Sequence, residues 1–327
     1  MLKVLGAARY VFGRWDAINF NFGSTLFSKY YPKAGLRGFP RFAASVMNGV
    51  GAILQRLELG ILRARRIPIV VHYQGDDARQ GDYSLEHYEI SIATQVPPDY
   101  YTPETDERKR RQIALMAKHA SAICAVNPDL MNVLPPSARF VPYGHIAVQE
   151  WEPRYTQADR ELLVFAHAPS NRKVKGTDLI LEALTELGAE GHRFELHLIE
   201  GVRNDEALDL YRDADVVIDQ LYAGWYGGVA LEAMALGKPV VVYLRESDFT
   251  HLPESMAQEL PFFQASPATI KDELRRILQM PREELVARAK RSRAFAERWH
   301  DPLAIAEGVA ADYRQGRVDR KGRGGAS

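Results

Sequence analysis

Short apolar runs alternate with helical stretches through the second half of the chain, and this alternation constrains the fold more than any other feature of the sequence. Four apolar runs of strand length lie at 162–168, 194–201, 215–219 and 239–244. Three stretches with helical spacing of apolar residues separate them, at 177–187, 205–214 and 229–237. Strands joined by helices imply right-handed crossovers and a parallel sheet that is buried on both faces. The second half therefore predicts a complete, doubly wound α/β domain.

The first half predicts another α/β domain, although its pattern is less regular. Strand-like runs lie at 17–23, 67–75, 120–126 and 138–144, and helical stretches lie at 41–66 and 105–119. Residues 81–103 match neither the helical nor the strand period of apolar residues and are interpreted as an insertion or a mobile lip. The polar segment 149–159 is the predicted link between the halves. The predicted domains are 1–150 and 151–313, the second with closing helices, followed by a disordered basic tail at 314–327.

Charge, cysteine content and hydropathy exclude several classes of protein. The 327 residues carry 42 basic and 42 acidic side chains, and this zero net charge argues against a nucleic-acid-binding protein, which needs a basic excess. Cys124 is the only cysteine, which excludes an internal disulfide and a cysteine-based zinc site. No apolar run approaches the ~18 residues that cross a bilayer. Arg9 and Arg14 interrupt the stretch where a signal peptide would be apolar, so we expect a cytoplasmic protein.

The loop at 169–178 places cations where a strand gives way to a helix. Arg172, Lys173 and Lys175 stand beside a predicted helix N-terminus, whose free N–H groups and dipole favour anions. This arrangement is typical of a cradle for a diphosphate. A solvated turn whose lysines point into water explains the loop equally well, because a Lys-Gly pair is common.

The segment at 223–243 is more specific. Gly227 and Gly228 precede a predicted helix and let the backbone approach a ligand phosphate closely. Glu232 follows in the first turn and a half of that helix, where a carboxylate can accept hydrogen bonds from both hydroxyls of a ribose; a glutamate that caps the helix or pairs with its dipole is the alternative. The sequence has neither a Walker loop nor a GxGxxG motif after a strand, which disfavours a dinucleotide-dependent oxidoreductase.

Taken together, PSNRKVKGTDLILEAL, DVVIDQL and YGGVALEAMALGKPVV resemble the retaining GT-B glycosyltransferases of the "glycosyl transferases group 1" class. The resemblance implies two Rossmann-like domains that face a cleft, with the nucleotide sugar on the C-terminal domain and the acceptor on the N-terminal side. It also implies that Arg172 and Lys175 hold the donor diphosphate. Glu232, as the second glutamate of an E-x7-E motif, would hold the ribose. Because such enzymes need no metal, we expect no metal and no cofactor beyond the nucleotide sugar as co-substrate.

The sequence departs from the family pattern at two positions. Gly224 stands where the first glutamate of E-x7-E approaches the donor sugar in the family. VVHYQGDDAR resembles the family's strand that ends in HGSD, with Gln74 in place of the histidine and His72 two residues earlier. Residues two apart share a face of a strand, so we expect both side chains to line the cleft, with His72 as a candidate catalytic residue. A buried structural histidine is the alternative for His72.

Three further side chains are candidates for substrate binding. Asp77 and Arg79 follow the second predicted strand and either bind acceptor hydroxyls or pair with each other. His167 closes the strand before the cationic loop and either touches the donor or bonds to backbone. Asp213 and Asp215 have the outline of a metal-binding DxD motif, but the pattern places them where a helix ends and a strand opens, away from the predicted site.

The N-terminus is shorter than the resemblance requires. The family opens with a strand, a glycine-rich loop and a long helix, and residues 1–15 are too few to hold that unit. The first βα unit is therefore either absent or lost through a misplaced start, and Phe22-Gly23-Ser24 is a candidate substitute turn.

These observations lead to one function hypothesis and one rival. The leading hypothesis is retaining transfer of a hexose from a nucleotide diphosphate sugar to a hydroxyl of a glycan or lipid-linked glycan. Arg172, Lys175 and the amides near Gly227 and Gly228 would stabilise the leaving diphosphate. A sugar-nucleotide epimerase is a variant within the same fold. The rival is a non-catalytic GT-B-like binding module or partner subunit, which Gly224, Gln74 and the short N-terminus favour. The basic tail fits an inert solubilising segment better than weak contact with a membrane surface.

Overall fold

Four parallel strands form the sheet of the N-terminal domain, in the order β1-β2-β3-β4. The computed structural model describes residues 10, 13–31, 35–155 and 160–322, with only the backbone of 319–322. The strands are β1 (Ile18–Asn21), β2 (Ile69–Tyr73), β3 (Ala122–Ala125) and β4 (Arg139–Phe140). The helices are α1 (Gly38–Ala64), α2 (Gly81–His87) and α3 (Pro103–His119). Because helices connect β1 to β2 and β2 to β3, the predicted parallel α/β domain is confirmed.

A glycine at the end of β1 lets the chain turn closely over β2. Phe22 and Gly23 have positive φ angles of 60° and 57°. A Cβ atom on Gly23 would lie 2.3 Å from Cε1 of Tyr73, so a larger residue does not fit. The turn from β1 towards α1 therefore lies where the sequence predicted a substitute turn. The prediction of a missing first βα unit concerns the segment before β1, in which residues 1–9, 11 and 12 lie outside the described residues.

The two faces of this sheet have different partners, because alternate residues of β2 point to opposite sides. Ile69, Val71 and Tyr73 are buried with apolar side chains of α1 and α3. On the other face, Val70 packs with residues that include two from the C-terminal helix: Cys124, Val141, Ile305 and Tyr313.

Five parallel strands form the sheet of the C-terminal domain, in the order β6-β5-β7-β8-β9. The strands are β5 (Leu163–His167), β6 (Phe194–Leu198), β7 (Val216–Ile218), β8 (Val240–Val242) and β9 (Phe263–Gln264). The helices are α4 (Arg172–Lys175), α5 (Thr177–Ala189), α6 (Asn204–Asp213), α7 (Gly228–Ala235), α8 (Glu254–Glu259), α9 (Ile270–Leu278) and α10 (Arg282–Trp299). Separate apolar clusters cover the two faces of the sheet, which confirms the predicted doubly wound domain.

The chain reverses its direction across this sheet at β5. β5 pairs with β6 on one side and with β7 on the other. The chain runs from β5 to β6, returns to β7, and then continues away to β8 and β9. Ligands of open α/β sheets bind at such a reversal, outside the carboxyl ends of the strands. The residues that follow His167 and Ile218 therefore face the expected site.

The last helix, α11 (Pro302–Gly322), returns the chain to the N-terminal domain. Asp312 accepts a hydrogen bond of 2.5 Å from Arg139 of β4, and Gly316 lies so close to Ser121 that an added Cβ would be 2.6 Å from the serine Cβ. The assignment of this helix to the C-terminal domain is therefore wrong. The prediction of a disordered tail is also wrong for 314–322, because these contacts support a helix there; residues 323–327 lie outside the described residues.

The chain crosses between the domains earlier than the predicted link at 149–159. Val141 packs on the N-terminal sheet, whereas Val148 is already buried in the core of the C-terminal domain. The carbonyl of Trp151 accepts a hydrogen bond of 2.8 Å from Arg293 of α10. Residues 142–147 therefore form the crossing, before the predicted boundary at 150; of the predicted link, 156–159 lie outside the described residues.

Residues 81–103, which matched neither period, border the cleft between the domains. They form α2 and a short 3₁₀ helix at Ile92–Thr94. The carbonyl of Ile90 accepts a hydrogen bond of 2.7 Å from Arg245 of the C-terminal domain. Residues 94–98 also line a cavity of about 530 Å³ together with Arg172. The segment is a wall of the cleft. Within the described part of the chain, no helix has the length and hydropathy needed to cross a membrane.

His300 joins the crossing segment to the C-terminal domain, and its burial makes stability depend on pH. Its Nδ1–H donates to the carbonyl of Tyr143 (2.7 Å), so Nε2 accepts from the hydroxyl of Tyr226 (2.9 Å). Burial lowers the pKa of His300 to about 4.

We expect the protein to lose stability as the pH falls from 6.5 to 4. Across that interval the unfolded chain binds a proton at His300 that the folded chain does not bind, which amounts to about 3 kcal/mol. Urea unfolding at several pH values measures the slope. The variant His300→Gln should show a shallower slope over this interval, whatever its absolute stability; equal slopes would contradict the assignment.

Candidate functional site

Lys175 and Asp219 form an ion pair at the point where the C-terminal sheet reverses. Lys175 follows β5 and Asp219 follows β7, and both are buried. The Nζ of Lys175 lies 2.5 Å from Oδ1 of Asp219, and the N–H of Gly227 donates to Oδ2 at 2.7 Å. The pair brings the cationic loop and the start of α7 together. No sequence pattern identified Asp219 as the partner of Lys175.

The amides of the cationic loop are less available to an anion than the sequence indicated. Asn171 caps α4, and its side chain accepts from the N–H groups of Lys173 and Val174 (3.1 and 3.2 Å). Arg172 is exposed and donates to both carboxylate oxygens of Glu200 (3.0 and 2.8 Å). Glu200, which follows β6, was missed from the sequence because a single acid after a strand carries no pattern. Carboxylates therefore hold two cations of the loop, Arg172 and Lys175, whereas Lys173 is exposed.

The first turn of α7 supplies backbone donors beside the ion pair. The N–H of Gly227 is taken by Asp219, which corrects the expectation that this amide is free for a ligand. Gly228 and Val229 open the helix, and the first N–H groups of a helix have no partner within it. A Cβ on Gly228 would lie 3.4 Å from the ring of His145, which belongs to the crossing segment. Burial lowers the pKa of His145, so a neutral imidazole adjoins this helix start. No sequence motif had indicated His145.

Glu232 lies one turn further along α7, with its carboxylate free. The N-terminus of α7 has no side-chain cap, so Glu232 is not a capping residue, and Glu232 lies beyond the first turn, within which pairing with the helix dipole is effective. Among the described residues, no donor or cation contacts this carboxylate within hydrogen-bond distance, and burial raises its pKa. A cavity of about 260 Å³ opens nearby, lined by Pro169, Glu200, Tyr211 and Val229. A half-buried carboxylate without a partner is poised to accept hydrogen bonds from a ligand.

His167 is fully buried and does not reach the cavity. Its Nδ1 contacts the carbonyl of Ile218 at 2.8 Å, and its Nε2 contacts the hydroxyl of Thr177 at 2.9 Å. Both ring nitrogens are therefore occupied by the protein, and burial lowers the pKa. The structure supports the structural alternative for His167 and not the donor contact, because the ring ties β7 to the start of α5.

The guanidinium of Arg245 occupies the space beside Gly224. Gly224 has a φ angle of 76°, and a Cβ there would lie 2.6 Å from Nη1 of Arg245. The guanidinium donates to Asp248 (2.9 Å) and to the carbonyl of Ile90 (2.7 Å), and it lies 3.7 Å from the ring centroid of Tyr88. A glutamate at position 224 would displace this arginine. The departure from E-x7-E is thus linked to a contact that joins the two domains.

We expect Gly224→Ala to destabilise the protein more than Gly201→Ala does. Both glycines have positive φ, but nothing lies within 4 Å of a Cβ on Gly201. The backbone penalty, roughly 1–2 kcal/mol, is therefore common to both variants. Displacement of Arg245 from its hydrogen bonds should add about 1–3 kcal/mol in Gly224→Ala alone. Urea denaturation of the two variants measures the difference, and equal losses would show that Arg245 adapts freely.

On the N-terminal side, Asp77 shapes the turn after β2 beside a second cavity. Its carboxylate accepts from the N–H groups of Gln74 (3.0 Å) and Gly75 (2.6 Å). Burial raises the pKa of Asp77, although these hydrogen bonds oppose the shift. The cavity, of about 260 Å³, is lined by Asp76, Asp77 and Lys109 among others. The side chain of Gln74 is exposed at the same turn.

Arg79 is buried in an ionic network, so its interpretation as an acceptor ligand is wrong. Its guanidinium contacts Asp129 (2.8 Å) and Asp76 (3.0 Å). Asp76 also accepts hydrogen bonds of 2.5 Å from the hydroxyls of Tyr100 and Tyr101. Burial alone would raise the pKa of Asp76, but Arg79 and the two hydroxyls lower it. These tyrosines lie in the irregular segment 81–103, so no periodicity pointed to them.

His72 lies away from the cleft. It shares the face of β2 that carries Val70, which α11 covers. Its Nδ1 contacts Oδ1 of Asn19 at 2.7 Å, and burial and the charge of Arg139 lower its pKa. The expectation that His72 lines the cleft is wrong, because the shared face of the strand points to α11.

The aspartates of the DxD-like segment lie at the opposite end of the sheet from the ion pair. Asp213 ends α6, and Asp215 accepts a hydrogen bond of 2.8 Å from the N–H of Val164 at the start of β5. Across residues 10, 13–31, 35–155 and 160–322, no group of three or more His, Cys, Asp or Glu side chains is placed to hold a metal ion.

Several solved structures share the architecture of this chain at low sequence identity. Sucrose-phosphate synthase from Thermosynechococcus elongatus is 17% identical with a TM-score of 0.58, and the match covers 96% of this chain and 76% of that one. Anabaena HepE in complex with UDP-glucose is 15% identical with a TM-score of 0.54, covering 95% and 80%. WaaG, a glycosyltransferase involved in lipopolysaccharide biosynthesis, is 15% identical with a TM-score of 0.53, covering 94% of each chain.

The predicted fold class is confirmed by these matches. The chain has the GT-B fold, in which two Rossmann-like domains face each other across a cleft. No protein-family model and no curated protein matches the sequence.

Proposed function

We propose that this chain, whose fold is GT-B, is a glycosyltransferase that moves a hexose from a nucleotide diphosphate sugar to a hydroxyl acceptor with retention of configuration. One arrangement carries the proposal: the ion pair of Lys175 and Asp219 beside the start of α7, with the free carboxylate of Glu232 one turn away. A fold that only positioned a partner would have no use for an unpartnered acid at the reversal of the sheet.

The same residues suggest how the leaving group is stabilised. Negative charge grows on the diphosphate as the sugar departs, and groups already in place when this charge develops stabilise it without reorganisation. Asp219 fixes the ammonium of Lys175, while the first-turn N–H groups of Gly228 and Val229 point out of α7. Arg172 reaches the site if the diphosphate replaces Glu200 as its partner. No protein nucleophile is required, and metal independence remains a prediction.

The nucleoside and the acceptor occupy opposite sides of the cleft in this proposal. The ribose hydroxyls donate to Glu232 next to the cavity at Pro169 and Tyr211. The acceptor, a glycan or a lipid-linked glycan, enters from the N-terminal domain, where Asp77 and Asp76 border the second cavity. The HepE structure contains UDP-glucose, which supports a nucleotide sugar as the class of donor.

A non-catalytic binding module is the second candidate, and Arg245 is the observation that favours it. This arginine fills the place of a side chain at position 224 and ties the two domains together, so the site lacks an acid there. Such a module would bind the nucleotide sugar without turning it over.

Two measurements distinguish the candidates. Purified protein is titrated with the common nucleoside diphosphates while its melting temperature is followed, and the nucleotide sugar that corresponds to the best binder is then tested for slow hydrolysis without acceptor. Stabilisation together with hydrolysis supports the transferase, and stabilisation without hydrolysis or transfer supports the module. The absence of stabilisation by any nucleoside diphosphate at millimolar concentration would contradict both. Conversion of the sugar without acceptor would identify an epimerase instead.

A further inference from the structure

Helix α1 carries an apolar stripe on its solvent side. Six large apolar residues recur every three or four positions and are all exposed: Phe39, Phe42, Val46, Val50, Ile53 and Leu57. The exposed fractions of Phe39, Phe42 and Ile53 are 79%, 65% and 59%. At a rise of about 1.5 Å per residue, the stripe is about 27 Å long. We call these six residues the α1 stripe.

The α1 stripe is separate from the face of α1 that holds the fold together. Ala44, Gln55, Leu59 and Leu62 are buried against the N-terminal domain. These residues point to the side of the helix opposite the stripe, given 3.6 residues per turn. A surface helix normally has one apolar face and one polar face, whereas α1 has two apolar faces. The second face is not needed for the core.

The segment that carries the α1 stripe has a strong basic excess. Residues 17–75 contain eight lysines and arginines and one acid, Glu58. Glu58 is buried and accepts hydrogen bonds from Tyr10 (2.8 Å) and from the N–H of Leu26 (3.2 Å), so it does not offset the basic charge at the surface. Five arginines on α1 or directly beside it are exposed: Arg37, Arg41, Arg56, Arg63 and Arg66. The whole chain has no net charge, so this basic excess is local.

We propose that the α1 stripe and its arginines bind the surface of an anionic lipid bilayer. A helix with exposed aromatic and aliphatic residues on one face and arginines on the flank of that face, here Arg56 and Arg63, lies in the plane of the membrane interface, with the apolar side chains at the level of the headgroups. Each arginine near an anionic surface strengthens the partitioning about fivefold. The basic charge selects anionic lipid over a second copy of this surface, since two such faces would repel each other. This inference is independent of the proposed function.

Vesicle sedimentation of the full chain tests the proposal. The vesicles contain either phosphatidylcholine alone or about 30 mol % phosphatidylglycerol, at about 0.05 M and about 0.5 M NaCl. We expect binding to the anionic vesicles that weakens at high salt. The triple variant Phe39→Ser/Phe42→Ser/Ile53→Ser should lower the partition coefficient at least tenfold. Its matched control, Leu303→Ser/Val318→Ser, removes residues that are similarly exposed on α11 (75% and 63%) and should bind as the parent does.

A charge variant and the oligomeric state complete the test. Arg56→Gln/Arg63→Gln should lower binding to anionic vesicles about tenfold or more and leave the weak binding to neutral vesicles unchanged. The proposal is overturned if the parent does not sediment with anionic vesicles, or if the triple variant binds them as well as the parent. It is also overturned if the parent forms a dimer that the triple variant abolishes. All variants should retain the affinity of the parent for nucleoside diphosphates, so failure here is distinct from failure of the proposed function.

Discussion

Replacement of Lys175 by methionine should destabilise the protein by about 3–5 kcal/mol, because it leaves the buried carboxylate of Asp219 without its cation. The two side chains are almost fully buried and lie 2.5 Å apart, so water screens little of the charge that remains. Urea denaturation measures the loss. Release of nucleoside diphosphate from the donor should also fall by at least about a hundredfold, since one fixed positive group at a developing anion contributes on that order.

The double variant Lys175→Met/Asp219→Asn separates stability from chemistry. Asparagine still accepts the hydrogen bond from Gly227 but carries no charge, so most of the lost stability should return. Catalysis should not return, because the ammonium is still missing. If the double variant recovers activity along with stability, Lys175 acts only through the fold. If Lys175→Met alone is as stable as the parent, Asp219 has found another partner.

Glu232→Ala should weaken the binding of nucleoside diphosphates by about 10- to 100-fold while leaving the fold intact. A hydrogen bond to a charged acceptor contributes roughly 1.5–3 kcal/mol, and the ribose is the only partner proposed for this carboxylate. The parent should also prefer a ribonucleoside diphosphate over its 2′-deoxy form, and Glu232→Ala should lose this preference. Isothermal titration of both nucleotides with both proteins provides the four affinities. The exposed Glu182 on α5 serves as a matched control, because Glu182→Ala should change none of them.

The stability of Glu232→Gln gives an independent check on the role of this residue. Burial raises the pKa of Glu232, so the charged form is less favourable in the folded chain than in the unfolded chain. At pH 7, above the ordinary pKa of glutamate, this charge therefore lowers the free energy of unfolding. Glu232→Gln should be at least as stable as the parent, whereas a glutamate that serves the fold would cost stability when neutralised. A lower melting temperature for Glu232→Gln would contradict the assignment to the ligand.

Sequence patterns predicted the structure correctly where the environment of a residue depends on its neighbours along the chain. The continuous apolar runs of the strands come from burial on both faces of a parallel sheet, and the helical spacing between them comes from burial of one face of each helix, so the two α/β domains followed from the sequence. The glycines at 227 and 228 and the glutamate at 232 also keep their relative positions, because they lie on one short segment that opens a helix. Proximity in the chain fixes such spacings directly.

Contacts between distant segments could not be derived in this way. Lys175 and Asp219 are 44 positions apart, and only the packing of β5 beside β7 brings them together. The same limit explains the errors at His72 and Arg79: the sequence shows which residues share a strand or loop, but the tertiary structure decides which side is covered. The return of α11 to the N-terminal sheet, and with it the helical state of residues 314–322, depends on surfaces formed by the earlier part of the chain.

Arg245 and Gly224 show this division most clearly. The sequence by itself determined that position 224 is a glycine, where the family that the chain resembles has an acid. Only the tertiary structure decided what fills the space, because Arg245 comes from the segment after β8 and reaches Ile90 in the other domain. A residue's own type limits what it can do, and the pairing of its charge and hydrogen bonds is set by groups that folding brings from elsewhere in the chain.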